Sequence, residues 1–180
     1  MSINWQPKDL EDEKVSLVPL RPEHFRDLYR VASDPLIWEQ HPQQDRYLLE
    51  VFRQFFEGAI ASGSAFVITD KASGEVIGST RFYEFNEADA SVAIGYTFLA
   101  RKFWGGTYNK AVKKLLLDYA FGFVEKVYFH VGAENKRSAT AVTRLGAHHD
   151  GIVDFDHYGN KVPHLLFVIG KKEWNPDHLS

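Results

Sequence analysis

The sequence predicts an α/β (α+β) fold, with a mixed, mostly antiparallel sheet of about seven strands and helices on both faces. Two observations lead to this prediction. Apolar runs of strand length alternate with segments whose apolar residues recur every three or four positions, and the elements follow in the order βααβββαβαββ. Strands interleaved with helices in this order imply a layered fold around a mixed sheet.

The first half of the chain predicts one strand, two helices and a run of three strands. An apolar run at 15–20 predicts the first strand, and helical spacing predicts helices over 22–32 and from Leu49 to Gly63. Short connections rich in turn-forming residues join the next three strands, which favours an antiparallel meander. These strands cover 65–69, 76–85 and 91–98.

The second half predicts two helices and three strands. The clearest helix follows Gly106, because apolar residues recur there every three or four positions as far as Phe123. A shorter helix at 135–145 is followed by Gly146, a residue type that commonly ends helices in the left-handed conformation. The predicted strands cover 127–131, 151–155 and 163–170, the last two flanking a turn at 156–160.

Composition bounds the function. A chain of 180 residues suits one domain, which we predict over 1–180 with a core at about 15–170. The net charge of -3 gives no global electrostatic case for nucleic-acid binding. The absence of cysteine excludes disulfides and thiolate metal sites. No run approaches the ~20 apolar residues that span a bilayer, and the N-terminus does not resemble a signal peptide, so we predict a cytoplasmic protein without a membrane partner.

A glycine pair lies between the last strand of the meander and the clearest helix. The loop 101–107 contains Gly105 and Gly106, with Arg101 and Lys102 adding positive charge. Strand, glycine loop and helix in this order bind phosphate, because free amides and the helix dipole favour an anion and glycine allows close backbone approach. If the glycine loop is considered alone, the alternative interpretation is an ordinary turn. The loop lacks the Gly-Lys-Ser/Thr of a nucleotide P-loop and the three spaced glycines of a dinucleotide fingerprint.

A second segment supports the phosphate-binding interpretation. Residues 131–138 read Val-Gly-Ala-Glu-Asn-Lys-Arg-Ser, and Leu145-Gly146-Ala147 follows. Together with Trp104-Gly105-Gly106-Thr107-Tyr108 and the later run Leu-Leu-Asp-Tyr-Ala-Phe at 116–121, these residues resemble the GNAT superfamily of N-acetyltransferases. The resemblance is to the branch that acetylates N-terminal Ala or Ser of ribosomal proteins, and it covers roughly residues 15–170. It implies a GNAT-like three-layer fold.

The resemblance also implies acetyl-CoA as co-substrate, and a set of residues that contact it. The backbone at the end of the meander would pair with pantetheine, with the N–H near Leu99 as oxyanion donor, and the glycine loop would hold the pyrophosphate. Two loop positions depart from the usual Gln/Arg-x-x-Gly-x-Gly/Ala pattern, namely Lys102 and Thr107. The implied cofactor-binding residues are Phe98, Leu99, Ala100, Lys102, Gly105, Gly106, Thr107, Tyr108, Asn135 and Ser138.

Three residues are candidates for catalysis. By resemblance Ser138 lies near the sulfur and is the general-acid candidate, with capping of the short helix as its alternative role. Many members of the branch have Glu two residues before Gly-Tyr on the meander strand, where this chain has Ala93. The base candidates are therefore Glu84, which could instead be a solvated strand-end charge, and His130, which could instead be a hydrogen-bonded structural residue.

We expect no metal site, because adjacent strand residues such as His148 and His149 point to opposite faces and no His-x-x-x-His or carboxylate cluster accompanies them. The leading hypothesis is an acetyl-CoA-dependent N-acetyltransferase that acts on a protein N-terminus or a small-molecule amine, and a homodimer is compatible with it. The second is a catalytically weak GNAT-fold module that binds CoA. The third, an unrelated α/β domain with an accidental glycine turn, requires both motif matches to be coincidental.

Overall fold

The computed structural model describes residues 2–157 and 159–179 and contains the predicted mixed sheet. Tyr158, in the predicted terminal turn, lies outside the described residues. The strands follow the order β1-β2-β3-β4-β5-β6-β8-β7, and of the neighbouring pairs in the described part only β5 and β6 are parallel. The strands are β1 (Leu10–Glu11), β2 (Val15–Pro19), β3 (Ala65–Asp70), β4 (Val76–Asn86), β5 (Ser91–Leu99), β6 (Lys126–Gly132), β7 (His148–His157) and β8 (Asn160–Gly170).

The described sheet has eight strands where the sequence predicted about seven. The additional strand is β1, which pairs antiparallel with β2 through Leu10 opposite Leu17 and Glu11 opposite Ser16. Two residues are too few to show the alternation of buried and exposed positions by which a strand is recognised. The terminal strands β7 and β8 are also longer than predicted, because their pairing continues to His157 opposite Asn160.

Four α-helices accompany the sheet in the described residues. Two of them end near a glycine with positive φ, as predicted: Gly63 has φ 64° and Gly146 has φ 103°. The first predicted helix is shorter, because Pro22–His24 forms a 3₁₀ turn before it. None of the described helices is long and apolar enough to cross a membrane. The helices are α1 (Phe25–Ala32), α2 (Leu49–Ser62), α3 (Thr107–Ala120) and α4 (Lys136–Arg144).

Two hydrophobic clusters give the fold its three layers. One cluster packs Val112 and Leu116 of α3 and Val142 of α4 against the sheet. The other packs aromatic residues of α2, such as Phe52, against Phe98 and its neighbours. Helices therefore cover both faces of the sheet, and the end of β5 contributes to both clusters.

The sheet divides at the junction of β5 and β6. These strands pair only over Ser91–Ala93 and Lys126–Tyr128. Beyond that point β5 remains paired with β4, and β6 remains paired with β8. A bulge places Tyr96 and Thr97 of β5 opposite Thr80 of β4, and Tyr96 has φ 53°. Because a bulge bends its strand and increases its twist, the two halves of the sheet separate and a gap opens between them.

Candidate active site

The glycine loop connects the end of β5 to α3. Gly105 has φ 113° and Gly106, the N-cap of α3, has φ 99°. Residues that carry a side chain rarely adopt this left-handed backbone conformation, so glycine is needed at both positions. The indole Nε1 of Trp104 donates to the carbonyl of Leu99 at 2.9 Å and holds the loop against the strand. The first amides of α3 have no partner within the helix and are free to bind an anion.

A cavity of about 740 Å³ extends from this loop to α4. Six of the predicted cofactor-binding residues line it: Phe98, Leu99, Gly105, Gly106, Asn135 and Ser138. The other four, Ala100, Lys102, Thr107 and Tyr108, are not among its lining residues. Their role in cofactor binding stays a prediction.

The structure gives two of these four residues other partners. The ammonium of Lys102 pairs with a carboxylate oxygen of Glu75 at 3.0 Å, and the hydroxyl of Tyr108 donates to Asp70 at 2.9 Å. The loop lysine that the sequence indicated as an anion ligand therefore already has an ion-pair partner.

Positive charge at the cavity comes instead from α3 and α4. Lys110, Lys136, Arg137 and Arg144 all line it. The guanidinium of Arg137 lies over the ring of Trp104, 3.8 Å from its centroid, which fixes this cation beside the glycine loop. These four residues were not among the predicted ligands. The sequence did indicate an anion site here, because basic residues recur on the two helices next to the proposed loop.

A second, smaller cavity of about 100 Å³ meets the first between the separated strands. We call the shared boundary the neck. It is formed by the residues that line both cavities, namely His41, Thr97, Lys113, Asn135, Ser138 and Val142. A ligand in the larger cavity and a ligand in the smaller one would therefore touch at the neck.

Asn135 and Ser138 reach the neck because α4 begins there. The side-chain oxygen of Asn135 accepts the backbone N–H of Ser138 at 3.1 Å, and Asn135 is the N-cap of the helix. The alternative in which Ser138 caps the helix is therefore wrong. Its side chain is at the neck, while Asn135 satisfies one of the amides that a helix start leaves without a partner.

The structure brings the two base candidates together. His130 Nε2 lies 3.8 Å from Glu84 Oε2, and His130 Nδ1 lies 2.6 Å from the hydroxyl of Tyr83. Burial, and then the neighbouring His164, lower the pKa of His130 to about 4. Burial raises the pKa of Tyr83 well above its ordinary value and also raises the pKa of Glu84. The imidazole is therefore neutral near pH 7, and the phenol keeps its proton.

His130 and Glu84 also border an open cleft of about 820 Å³ on the side away from the glycine loop. Glu87 and Asp89 line the same cleft. Asp89 is paired with Lys126 at 2.5 Å, whereas the side chain of Glu84 is 62% exposed. An acidic cleft of this kind attracts a cation in preference to an anion.

Lys113 is a neck residue that was not predicted from the sequence. Its side chain is buried, and its ammonium donates to Thr97 Oγ1 at 3.0 Å and to Asn109 Oδ1 at 3.3 Å. The sequence did indicate that Lys113 is buried, because it lies three residues before Leu116 and four before Leu117. This spacing puts it on the face of α3 that the apolar residues assign to the core.

No group of three or more His, Asp or Glu side chains in the described residues could hold a metal ion. The site is thus a loop with free helix amides and neighbouring cations, joined through the neck to a smaller cavity whose lining residue His130 also borders the acidic cleft. This arrangement can hold an anionic ligand in the larger cavity in contact with a second ligand between the two halves of the sheet.

Residues 14–148 match the acetyltransferase (GNAT) domain. The chain belongs to this family, and the protein is an N-acetyltransferase, as the sequence resemblance predicted.

Solved structures with the same fold agree with this assignment. A GCN5-related N-acetyltransferase from Brucella melitensis is 21% identical, with 94% of this chain and 82% of that chain covered and a TM-score of 0.80. Mycobacterium smegmatis RimJ in complex with CoA-disulfide is 19% identical, with 92% and 87% covered and a TM-score of 0.68. Spermidine N-acetyltransferase from Vibrio cholerae in complex with CoA and spermine is 18% identical, with 94% and 100% covered and a TM-score of 0.69.

Proposed function

We propose that the protein transfers the acetyl group of acetyl-CoA to a primary amine, which attacks the thioester directly. The observation that carries this proposal is the neck, where the two cavities meet between the separated strands. A cofactor in the larger cavity would present its thioester there, and an amine would approach from the smaller cavity. Two substrates held in contact react without the entropy loss of a bimolecular encounter.

The larger cavity suits CoA in charge and in shape. Pyrophosphate at Gly105 and Gly106 would accept hydrogen bonds from the first amides of α3 and lie near Arg137. The pantetheine arm would then follow the free edge of β5 at Phe98, Leu99 and Ala100. RimJ from M. smegmatis, which shares this fold, was solved with CoA-disulfide, and this supports CoA as the ligand.

The acceptor side suits an amine that arrives protonated. The acidic cleft at Glu84 and Glu87 attracts a cation, and the small cavity behind it leads to the neck. Structures with this fold include a spermidine N-acetyltransferase solved with spermine and a putative ribosomal-protein-serine acetyltransferase, and both support a small-molecule amine or a protein N-terminus as the proposed acceptor.

Leu99 supplies the oxyanion donor in this scheme. The neighbouring amide of Ala100 bonds to Ile77 of β4 at 2.8 Å. Because successive amides of a strand point to opposite edges, the N–H of Leu99 points into the gap. A backbone donor fixed there stabilises the tetrahedral oxyanion without reorganisation. At the neck, Ser138 offers a hydroxyl to the sulfur as it departs.

Glu84 is the proposed base, and His130 positions it. Because the phenol of Tyr83 keeps its proton, it donates to His130 Nδ1, which leaves the imidazole proton on Nε2 facing the Glu84 carboxylate. Burial raises the pKa of Glu84, and a carboxylate with a raised pKa accepts a proton more readily near neutral pH.

The second candidate function, a module that binds CoA with little turnover, is favoured by Ala93, which puts a methyl group where many relatives have a carboxylate.

Thermal denaturation with and without acetyl-CoA, followed by a thiol-release assay, tests the proposal. The amines are spermidine and peptides that begin with Ser or Ala. A ligand at about 100 times its Kd stabilises the folded state by roughly 2.7 kcal/mol. Stabilisation with thiol release supports the enzyme. Stabilisation without release from any amine supports the binding module, and absence of stabilisation overturns both.

A matched pair of variants tests the site. Gly105→Asp puts a carboxylate against the proposed phosphates and should abolish the stabilisation by acetyl-CoA. Gly74→Asp is the control, because Gly74 also has positive φ (76°) and space for a side chain but lies in the turn between β3 and β4. If Gly105→Asp binds acetyl-CoA as well as Gly74→Asp does, the loop is not the phosphate site.

A further inference from the structure

Lys113 is a buried cation at the point where the two cavities meet. It is 5% exposed and lines both cavities. It forms no ion pair with a carboxylate in the part of the chain that the structure describes, and desolvation is the cause of its lowered pKa. A desolvated ammonium without a counterion is unfavourable for folding, so its position at a ligand site calls for a functional explanation.

The hydrogen bonds of Lys113 occupy two of the three N–H groups of its ammonium. An ammonium has three donors and no acceptor, and Thr97 and Asn109 accept two of them. Thr97 Oγ1 lies 2.8 Å from Thr80 Oγ1, so its own hydroxyl proton can be directed to Thr80. Two threonines and an asparagine thereby hold the ammonium in place, and the third donor is available to a ligand at the neck.

We propose that Lys113 is the general acid that protonates the CoA thiolate as it leaves, an inference that rests on the proposed function. The ammonium group of the acceptor first releases one proton to solvent, and the neutral amine nitrogen then bonds to the carbonyl carbon. The tetrahedral intermediate loses a second N–H proton to the base. The C–S bond then breaks, its electron pair goes to sulfur, and an N–H of Lys113 transfers its proton to that sulfur. The products are the amide and CoA thiol, and neutral Lys113 regains a proton from solvent.

The acidity of Lys113 suits this step. Burial lowers its pKa to about 8, and a general acid is most effective when its pKa lies near the working pH, where it is still protonated but releases its proton readily. The other titratable groups that line the two cavities are histidines, tyrosines and basic residues, namely His41, Tyr83, Tyr96, His130, His164, Lys110, Lys136, Arg137 and Arg144. These are imidazoles, phenols and cations, and none supplies a carboxylate that would raise the pKa of Lys113.

Ser138 is the competing proton donor. Its hydroxyl is a far weaker acid than an ammonium and would need resupply from another group. In our proposal Ser138 hydrogen-bonds to the sulfur, and Lys113 supplies the proton. The two roles make different predictions for the alkaline pH profile, because only Lys113 loses its proton near pH 8.

The test compares Lys113→Met with Lys114→Met, using acetyl-CoA and the amine from the panel that gives most thiol release. Lys114 is the next residue of α3, is partly exposed and pairs with Asp118, so its replacement controls for the loss of one helix lysine. We expect Lys113→Met to lower kcat roughly 10²-fold, with stabilisation by CoA retained. Lys114→Met should keep the wild-type kcat.

The pH profile separates an acid from a structural residue. In the wild type, kcat should fall above about pH 8 as Lys113 loses its proton, and this alkaline limb should persist in Ser138→Ala but disappear in Lys113→Arg. Arginine keeps the charge but does not release its proton, so Lys113→Arg should also be slow.

Four results would overturn the inference. They are a wild-type kcat with no alkaline limb, a folded Lys113→Met within about threefold of the wild-type kcat, an alkaline limb retained in Lys113→Arg, and a Lys113→Arg variant with full activity. If Lys113→Met does not fold, the pH profiles of the wild type and of Lys113→Arg still test the inference. A wild type that releases no thiol overturns the proposed function and this inference together, whereas an active wild type with any of the four results overturns this inference alone.

Discussion

Replacing Lys113 with Met should stabilise the folded protein at pH 7. The pKa of Lys113 falls from 10.5 to about 8 on folding, and each unit corresponds to 1.36 kcal/mol, so the charged lysine disfavours folding by roughly 3 kcal/mol. Methionine removes this penalty and fills a similar space. Relative to a neutral lysine it loses the hydrogen bonds to Thr97 and Asn109, at about 1.5 kcal/mol together. The expected net gain is roughly 2 kcal/mol, or a rise in Tm of about 4–8 °C.

This stabilisation should depend on pH in a defined direction. The folded-state pKa lies below the unfolded value, so between about pH 8 and 10.5 the unfolded chain binds the extra proton. The stability of the wild type therefore rises with pH in this window relative to the variant. The advantage of Lys113→Met should shrink by about 2 kcal/mol between pH 7 and pH 9.5.

Urea unfolding of wild type, Lys113→Met and Lys114→Met at pH 7 and pH 9.5 measures both quantities. The control variant removes an exposed lysine, whose surface ion pair contributes at most about 1 kcal/mol. A Lys113→Met protein that is less stable than wild type at pH 7, or whose difference from wild type is the same at both pH values, would refute the account of a buried, desolvated ammonium.

Three further predictions concern the rest of the site. Asn135→Ala should lower the unfolding free energy by about 1 kcal/mol in urea titrations, because the N-cap of α4 is lost; unchanged stability would contradict this role. In calorimetric titration, Arg137→Met should weaken the binding of acetyl-CoA about tenfold. Lys102→Met removes a cation that is already paired with Glu75 and should change the affinity less than twofold. Equal losses of affinity in the two variants would assign both cations to the cofactor. His130→Gln should reduce the loss of stability between pH 6.5 and pH 4. The pKa of His130 is about 4 in the folded state, so in this window the unfolded chain binds the extra proton. A variant that loses stability as steeply as the wild type would show that His130 is not the group responsible.

The sequence specified the elements of the fold because their signals are local. Helical spacing indicated α2 and α3, and the glycines at 63 and 146 marked where helices end, since positive φ is a property of one residue. Among the strands of the described residues, the two-residue β1 was not predicted, because its identity depends on pairing with Leu17 and Ser16. The family assignment was also available from local motifs.

The site was predicted in part. Gly105, Gly106 and Asn135 line the larger cavity, since loop and cap geometry follow from short segments, and their binding of a cofactor stays a prediction. The partners of side chains were not predictable in the same way. Lys102 adjoins the loop in sequence yet pairs with Glu75, which lies in the chain segment between β3 and β4. Arg137 is distant in sequence yet lies over Trp104.

The sequence by itself therefore determined the order of elements, the glycine loop and the N-acetyltransferase family, because each is encoded in spacing and short motifs. Only the tertiary structure decided that the pairing of β5 with β6 ends at Ala93 and that the two cavities meet at Lys113. The physical reason is that burial, and the protonation state that follows from it, depend on which distant segments exclude water from a side chain. A lysine on a helix face becomes a candidate acid only when the sheet covers it.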